Sequence, residues 1–183
     1  MSSGGVTGYF GYEYQFWATS LLLLNAHTKT DVPFKLSVET LFGDDAELEH
    51  KREKGLGIEQ DQDDVIIQVQ VKTRQLTHHW QPSNIRDLLL KKDENNSSRN
   101  TVLDKLYSNS NSLFLFITDG SVAENLSGLL INKIGSYKHK YGDNNLRDIR
   151  QKIINSDQTG KHAAILSRKL TKNVLSRVFV LAK

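Results

Sequence analysis

Four residues in the first half of the chain have the types and spacing to hold a hard cation and activate water: Glu39, Asp45, Gln70 and Lys72. Gln70 and Lys72 sit in "VIIQVQVK", where Val65, Ile67, Val69 and Val71 fall on one parity and Ile66, Gln68, Gln70 and Lys72 on the other. As a strand this run has one oily face and one increasingly polar face. A neighbouring strand can set Asp45 opposite Gln70 and Lys72. Mg²⁺ takes oxygen ligands and keeps several waters, so one or two carboxylates, a backbone carbonyl and a substrate phosphate suffice to hold it. A lysine beside such a cation can orient or help deprotonate an attacking water, while the cation polarises phosphorus and stabilises the leaving oxygen. Phosphodiester hydrolysis fits these parts.

Each residue also has a plainer reading. A Gln-x-Lys on a strand is common, and its weight here comes from the register with Glu39 and Asp45. Glu39 could be an exposed edge-strand charge. Asp44 competes with Asp45, because "GDD" is a turn and a one-residue slip reverses the faces. Asp64 lies on the strand of Lys72 itself, roughly 26 Å away at about 3.3 Å per residue, which excludes it unless a turn intervenes. Gln15 could be a satisfied polar group at a helix start.

The elements that must position these residues follow from periodicity. Tyr14, Trp17, Ala18, Leu21, Leu22 and Leu24 recur at helical spacing, which predicts a first helix from about Gly11 to His27. "VPFKLSVETL" and "GDDAELEHK" alternate as two strands, and the Val65–Lys72 run is a third, antiparallel to the second. Ser83 is placed as the N-cap of a helix in "QPSNIRDLLLKK", and "DENNSSRN" reads as a polar loop. "NTVLDKLYSN" predicts a short helix, "SLFLFITDG" a buried strand and "AENLSGLLINKIGSY" a helix. Helices at about 144–155 and 162–173 and a strand in "VLSRVFVLAK" complete the chain. The α-β-β-β-α-β order with later additions predicts a mixed α/β fold, a mixed central sheet flanked by helices.

Composition bounds the class. With 183 residues, 38% hydrophobic and 25% charged, the chain reads as one soluble globular domain over residues 1–183, either a natural unit or the N-terminal part of a longer protein. No run approaches the roughly 18 apolar residues of a membrane span, and "SLLLL" lacks the flanks of a signal peptide, so a cytoplasmic location is expected. The absence of cysteine removes disulfides, thiolate zinc sites and cysteine nucleophiles. The glycines of "MSSGGVTGYFGYEYQ" follow no strand and lack the Gly-Lys-Ser/Thr ending of a phosphate loop. Net charge runs from −7 over residues 1–71 (5 Lys/Arg, 12 Asp/Glu) to +3 over 72–146 (10 and 7) and +7 over 147–183 (9 and 2). That split suits an acidic metal pocket beside a polyanion-binding surface, and equally two solvated faces.

Glu39, then Asp45, then Gln70-Val71-Lys72, preceded by a helix with "GYEYQ" and Gln15, resembles the PD-(D/E)xK nuclease superfamily in the variant with glutamine in the acid's place. More narrowly, the glycine and aromatic lead-in, the "VET" and "DDA" strands and "VQVK" resemble the nuclease domain of CD-NTase-associated protein four type antiphage effectors, over residues 5 to about 75. The resemblance implies a restriction-endonuclease-like core and a Mg²⁺- or Mn²⁺-dependent endonuclease acting on double-stranded DNA. It makes Asp45 the principal metal ligand, Glu39 a supporting one and the Val71 carbonyl a third. Gln70 would contact metal-bound water or phosphate, Lys72 would act on the nucleophilic water, and Gln15 would orient the pocket from the first helix. A neutral amide binds cations more weakly than a carboxylate, which favours one metal over two.

A lone domain of this size offers a limited DNA footprint and unrestrained cutting would harm the host, so a homo-oligomer or a fused regulatory module is expected, and the resemblance implies a sensor or NTPase partner. "THHW" has no zinc spacing and is expected at a surface near DNA, with Arg74 and His78 as contacts. Arg168, Lys169, Lys172 and Arg177 are expected either to meet phosphates or to form a solvated helix face. No base-reading motif is present, so little sequence specificity is expected. Two rival functions remain: a nucleic-acid-binding or assembly module without chemistry, and a Holliday-junction resolvase of the same superfamily.

Overall fold

The β-branched run Val65–Lys72 forms a strand, β3, at the centre of a five-stranded sheet. The computed structural model describes residues 13–24, 34–38, 45–50, 65–72, 79–91, 101–132 and 143–182, with backbone placement alone for 34–38, 45–50, 65, 143 and 144. Glu39, Asp44, Asp64, Arg74, His78, the glycine-rich lead-in and the polar stretch 93–100 lie outside the described residues. The other strands are β1 (Phe34–Val38), β2 (Asp45–His50), β4 (Ser112–Thr118) and β5 (Val178–Ala182). The sheet runs β1-β2-β3-β4-β5, with β1, β2 and β3 antiparallel and β3, β4 and β5 parallel. The strand β3 is therefore the hinge between two kinds of pairing.

Both faces of the parallel half are covered, which is why "SLFLFIT" reads as an unbroken apolar run. On one face Ile67, Val69, Val71, Leu115 and Ile117 pack with Ala18 and Leu22 of helix α1, residues 13–24. On the other, Phe114, Phe116, Val178 and Val180 meet α2 (Pro82–Leu90), α3 (Val102–Ser108), α4 (Asp143–Asn155), α5 (Ala163–Lys169) and α6 (Lys172–Leu175). The expected α-β-β-β-α-β order is present, with α3 added before β4.

Three local expectations are corrected. The helix α2 starts two residues earlier than a Ser83 cap requires: Gln81 is the N-cap, its N–H donating to Asn84 Oδ1 at 2.8 Å, with Pro82 in the first turn, where a missing N–H costs nothing. In the described part of "AENLSGLLINKIGSY", residues 123–132, the chain forms a 3₁₀ turn, Glu124–Leu129, because Leu130 bridges to Val180 and Ile131 N–H donates to Val180 O at 2.9 Å; residues 133–137 lie outside the described residues. Gly128 also lets that turn approach α4, where a Cβ would collide with Asn145 and Ile149. The helix predicted over 162–173 is split into α5 and α6, with the Thr171 hydroxyl capping Val174 N–H at 3.2 Å.

Arg177 ties this arrangement together. Its guanidinium donates to the carbonyls of Leu106 (2.7 Å), Asn109 (2.6 Å), Ser112 (3.0 Å) and Asn173 (3.2 Å), joining the end of α3 and the start of β4 to the last helix. Burial pulls its pKa below the ordinary guanidinium value. Arg177 is a structural clamp, and the phosphate-contact reading for this residue is withdrawn. Replacing Arg177 by Met should cost about 3 kcal/mol, since charge-assisted bonds to four carbonyls go at once. Urea unfolding measures it, and Arg177→Lys should recover only part, because an ammonium lacks the planar fork.

Candidate active site

The polar parity of β3 is not a solvent face. Gln68 is 7% exposed and Gln70 only 1%, because Phe114 and Phe116 stand beside them on β4. Neither amide atom of Gln70 finds a hydrogen-bond partner among the described residues, and Gln68 Oε1 also lacks one. Buried amides without partners are rare and costly, and they mark places where something else is meant to bind.

The ladder places further donors at the same corner. Ile66 N–H donates to Asn111 O at 3.2 Å, so even-numbered residues of β3 turn their backbone groups toward β4 and odd-numbered ones toward β2. Asp45 pairs with Gln70 in register, and this is the non-hydrogen-bonded kind of pair, in which Cα atoms approach to about 4.5 Å. The Val71 carbonyl turns to the β2 side, one step past this last described pair. Lys72 follows on the face of Gln70, half-buried, beside Thr118 at the end of β4. The carboxyl ends of two parallel strands thus lie side by side at the site, the usual place for ligands in parallel sheets.

Thr118 and Trp80 wall this corner. Trp80 Nε1 donates to Thr118 Oγ1 at 2.8 Å, and its ring meets Phe116 edge-on with centroids 4.6 Å apart. Trp80 is 7% exposed, so "THHW" does not form a wholly exposed surface: His79 is exposed and bonded to Ser121 Oγ through Nδ1 at 2.7 Å, while Trp80 turns into the core. Sequence reasoning passed over Thr118. The signal was there, a polar residue closing an apolar strand on the parity of Phe114 and Phe116.

The helix α1 approaches from the other face. Tyr14, in the first turn of α1, packs against the cluster of Ile67, Val69 and Leu115, and burial, then the charge of Asp119 just past β4, push its hydroxyl up to about 12. Gln15 belongs to this turn and is half-buried behind the sheet, on the side opposite Gln70. Among the basic residues, Arg168 and Lys172 are exposed, and Lys169 is ion-paired with Asp104. The helix α6 leads into the start of β5, the end of the parallel strands away from Lys72.

The sequence matches the family model described as Cap4, dsDNA endonuclease domain, over residues 3–180. The chain belongs to that family. No curated protein and no solved structure matches it. Among its described residues, this Cap4-family endonuclease domain holds no cluster of three acidic or histidine side chains spaced as metal ligands. Its corner nonetheless suits a hard cation on other grounds: an orphaned buried amide, the Val71 carbonyl turned toward β2 and the Asp45 position opposite. The orphaned amide has a measurable cost. Gln70→Met should stabilise the Cap4-family domain by about 1–3 kcal/mol in thermal or urea unfolding, since it removes an unsatisfied polar group at similar volume.

Proposed function

We propose that this Cap4-family domain is a metal-dependent endonuclease that hydrolyses phosphodiesters of double-stranded DNA with little sequence specificity. Its setting is the cytoplasm, as an effector in bacterial antiphage defence switched on by oligomerisation through a sensor or NTPase module. The single observation that carries the hydrolytic reading is the buried amide of Gln70, without a partner among the described residues, between the Asp45 position and Lys72.

In this reading Asp45 is the principal ligand, supported by Glu39 and the Val71 carbonyl. One Mg²⁺ or Mn²⁺, when bound, supplies the charge that polarises the phosphorus centre and stabilises the leaving oxygen. Gln70 holds water or a phosphoryl oxygen through its amide. Lys72 orients the attacking water and takes part in its deprotonation. Gln15 acts as an orienting residue through the seat of α1 on β3. Arg74 and His78 meet the DNA backbone near the cut, and the exposed Arg168 and Lys172 meet it further along the duplex, Lys169 being held by Asp104.

Self-association has support in α1, which exposes Phe16 (66%), Trp17 (64%), Leu21 (55%) and Leu24 (61%). Large apolar side chains exposed together on one helix are typical of an interaction surface. With no helix among the described residues long and apolar enough to cross a membrane, a lipid-spanning use of this helix has no support.

The test is cleavage of supercoiled plasmid and linear duplex with Mg²⁺, Mn²⁺ or EDTA across protein concentrations. Cutting should need metal and fall by at least about a hundredfold in Lys72→Ala and in Asp45→Ala. Binding without cutting, at any concentration, would put the non-catalytic module ahead, and a strong preference for branched DNA would favour the resolvase. Sedimentation should show self-association that Leu21→Glu weakens at least tenfold, with a parallel loss of the concentration dependence of cutting.

A further inference from the structure

The Thr118 hydroxyl has one function left over. Its Oγ1 accepts from Trp80 Nε1 at 2.8 Å and from Gly120 N–H at 3.0 Å. A hydroxyl offers two lone pairs and one hydrogen, so both acceptor positions are taken and only the O–H remains. Among the described residues no acceptor takes it. At 1% exposure, Thr118 cannot spend that hydrogen on bulk solvent.

Trp80 keeps the hydroxyl in this state. An indole N–H can only donate. Its ring is fixed against Phe116 at 76°, and its backbone is clamped between Ser121 O (2.9 Å from Trp80 N) and Ala123 N (3.0 Å from Trp80 O). A side chain anchored by ring and backbone together has no other place to turn its N–H.

In the β3–β4 register Thr118 stands beside Lys72 and Phe116 beside Gln70. A donor-only hydroxyl and an amide with two unused atoms therefore share one buried face next to a lysine. Buried waters typically make about three hydrogen bonds to groups of this kind.

We propose that Thr118 is a positioning residue of this site: its O–H, aimed by Trp80 and Gly120, donates to an ordered water held jointly with the Gln70 amide beside Lys72. The proposal rests on the hydrolytic reading of Gln70 and Lys72 for its link to catalysis. The bridging water itself does not depend on that reading. In the free protein the water partners one of the two Gln70 amide atoms and leaves the other unmet. In the DNA complex, the same geometry fixes the attacking water without consuming any donor of Lys72.

Two measurements test it. First, Thr118→Val should lower kcat roughly tenfold with KM for duplex DNA within about twofold, the value of one well-placed hydrogen bond. Thr118→Ser, which restores the hydroxyl, should return kcat to within about twofold of the parent. A merely structural Thr118 would not separate kcat from KM, nor be rescued by a smaller residue with the same hydroxyl. Second, a high-resolution crystal structure of the unaltered chain should show a water within about 3.2 Å of both Thr118 Oγ1 and a Gln70 amide atom. That measurement stands even where Thr118→Val fails to fold. An empty space there, or Thr118→Val cutting at the parental kcat, overturns the proposal. A Lys72→Ala variant that still cuts would overturn the hydrolytic reading instead, and with it the catalytic role of Thr118 but not the water.

Discussion

A strand covered on both faces has no solvent in which to leave a polar side chain, and β3 nevertheless carries Gln68 and Gln70 in its covered stretch. That constraint organises the molecule. On one side of β3 the apolar parity is sealed by α1, and on the other the β4 phenylalanines and the helices behind them keep the amides out of bulk solvent. An amide held this way is destabilising unless it meets a partner, and it is pre-organised for one that arrives. Cost and use have the same origin, the withdrawal of Gln70 from solvent.

The change of pairing at β3 decides where that partner can enter. The antiparallel side brings Asp45 back beside Gln70 after a short excursion of chain, and the parallel side brings the end of β4 level with Lys72 from some 46 positions further on. Acid, amide and lysine thus come from a local meander. The wall of Trp80 and Thr118 comes from a distant crossover and fixes how the polar groups are presented. Arg177 secures the far end of the same parallel strands, so one end is bound by charge-assisted bonds while the other keeps polar atoms unspent.

Much of this could be read from residue order. Alternation in "VIIQVQVK" identified β3 and the shared parity of Gln70 and Lys72, and the second strand did pair antiparallel to it with Asp45 opposite Gln70. What alternation could not disclose was burial of the polar face, because a period of two distinguishes faces and says nothing of what covers them. Nor could it show that Trp80 turns inward, since that depends on a bridge to Val122 across 42 positions. Over 123–132, the described part of the expected helix, another non-local effect won: two residues paired with β5, which local propensity does not weigh. The basic cluster shows the same limit from the charge side. Residue type marked Lys169 and Arg177 as available cations, and tertiary contacts with Asp104 and with backbone carbonyls engage both.

The position of β5 in the sheet has a bearing on how the chain reaches this state. β4, "SLFLFIT", is seven residues with no charge and no proline, and its outer edge is closed only by Val178–Ala182, more than 60 positions later. On a ribosome making roughly 5–20 residues per second, that edge stays open for some seconds after it has been made. During that interval it is a template for pairing with another copy of itself, the kind of segment from which cross-β aggregates grow. The sheet order that sets the carboxyl end of β4 beside Lys72 therefore also makes the yield of folded protein sensitive to synthesis rate and to chaperone supply.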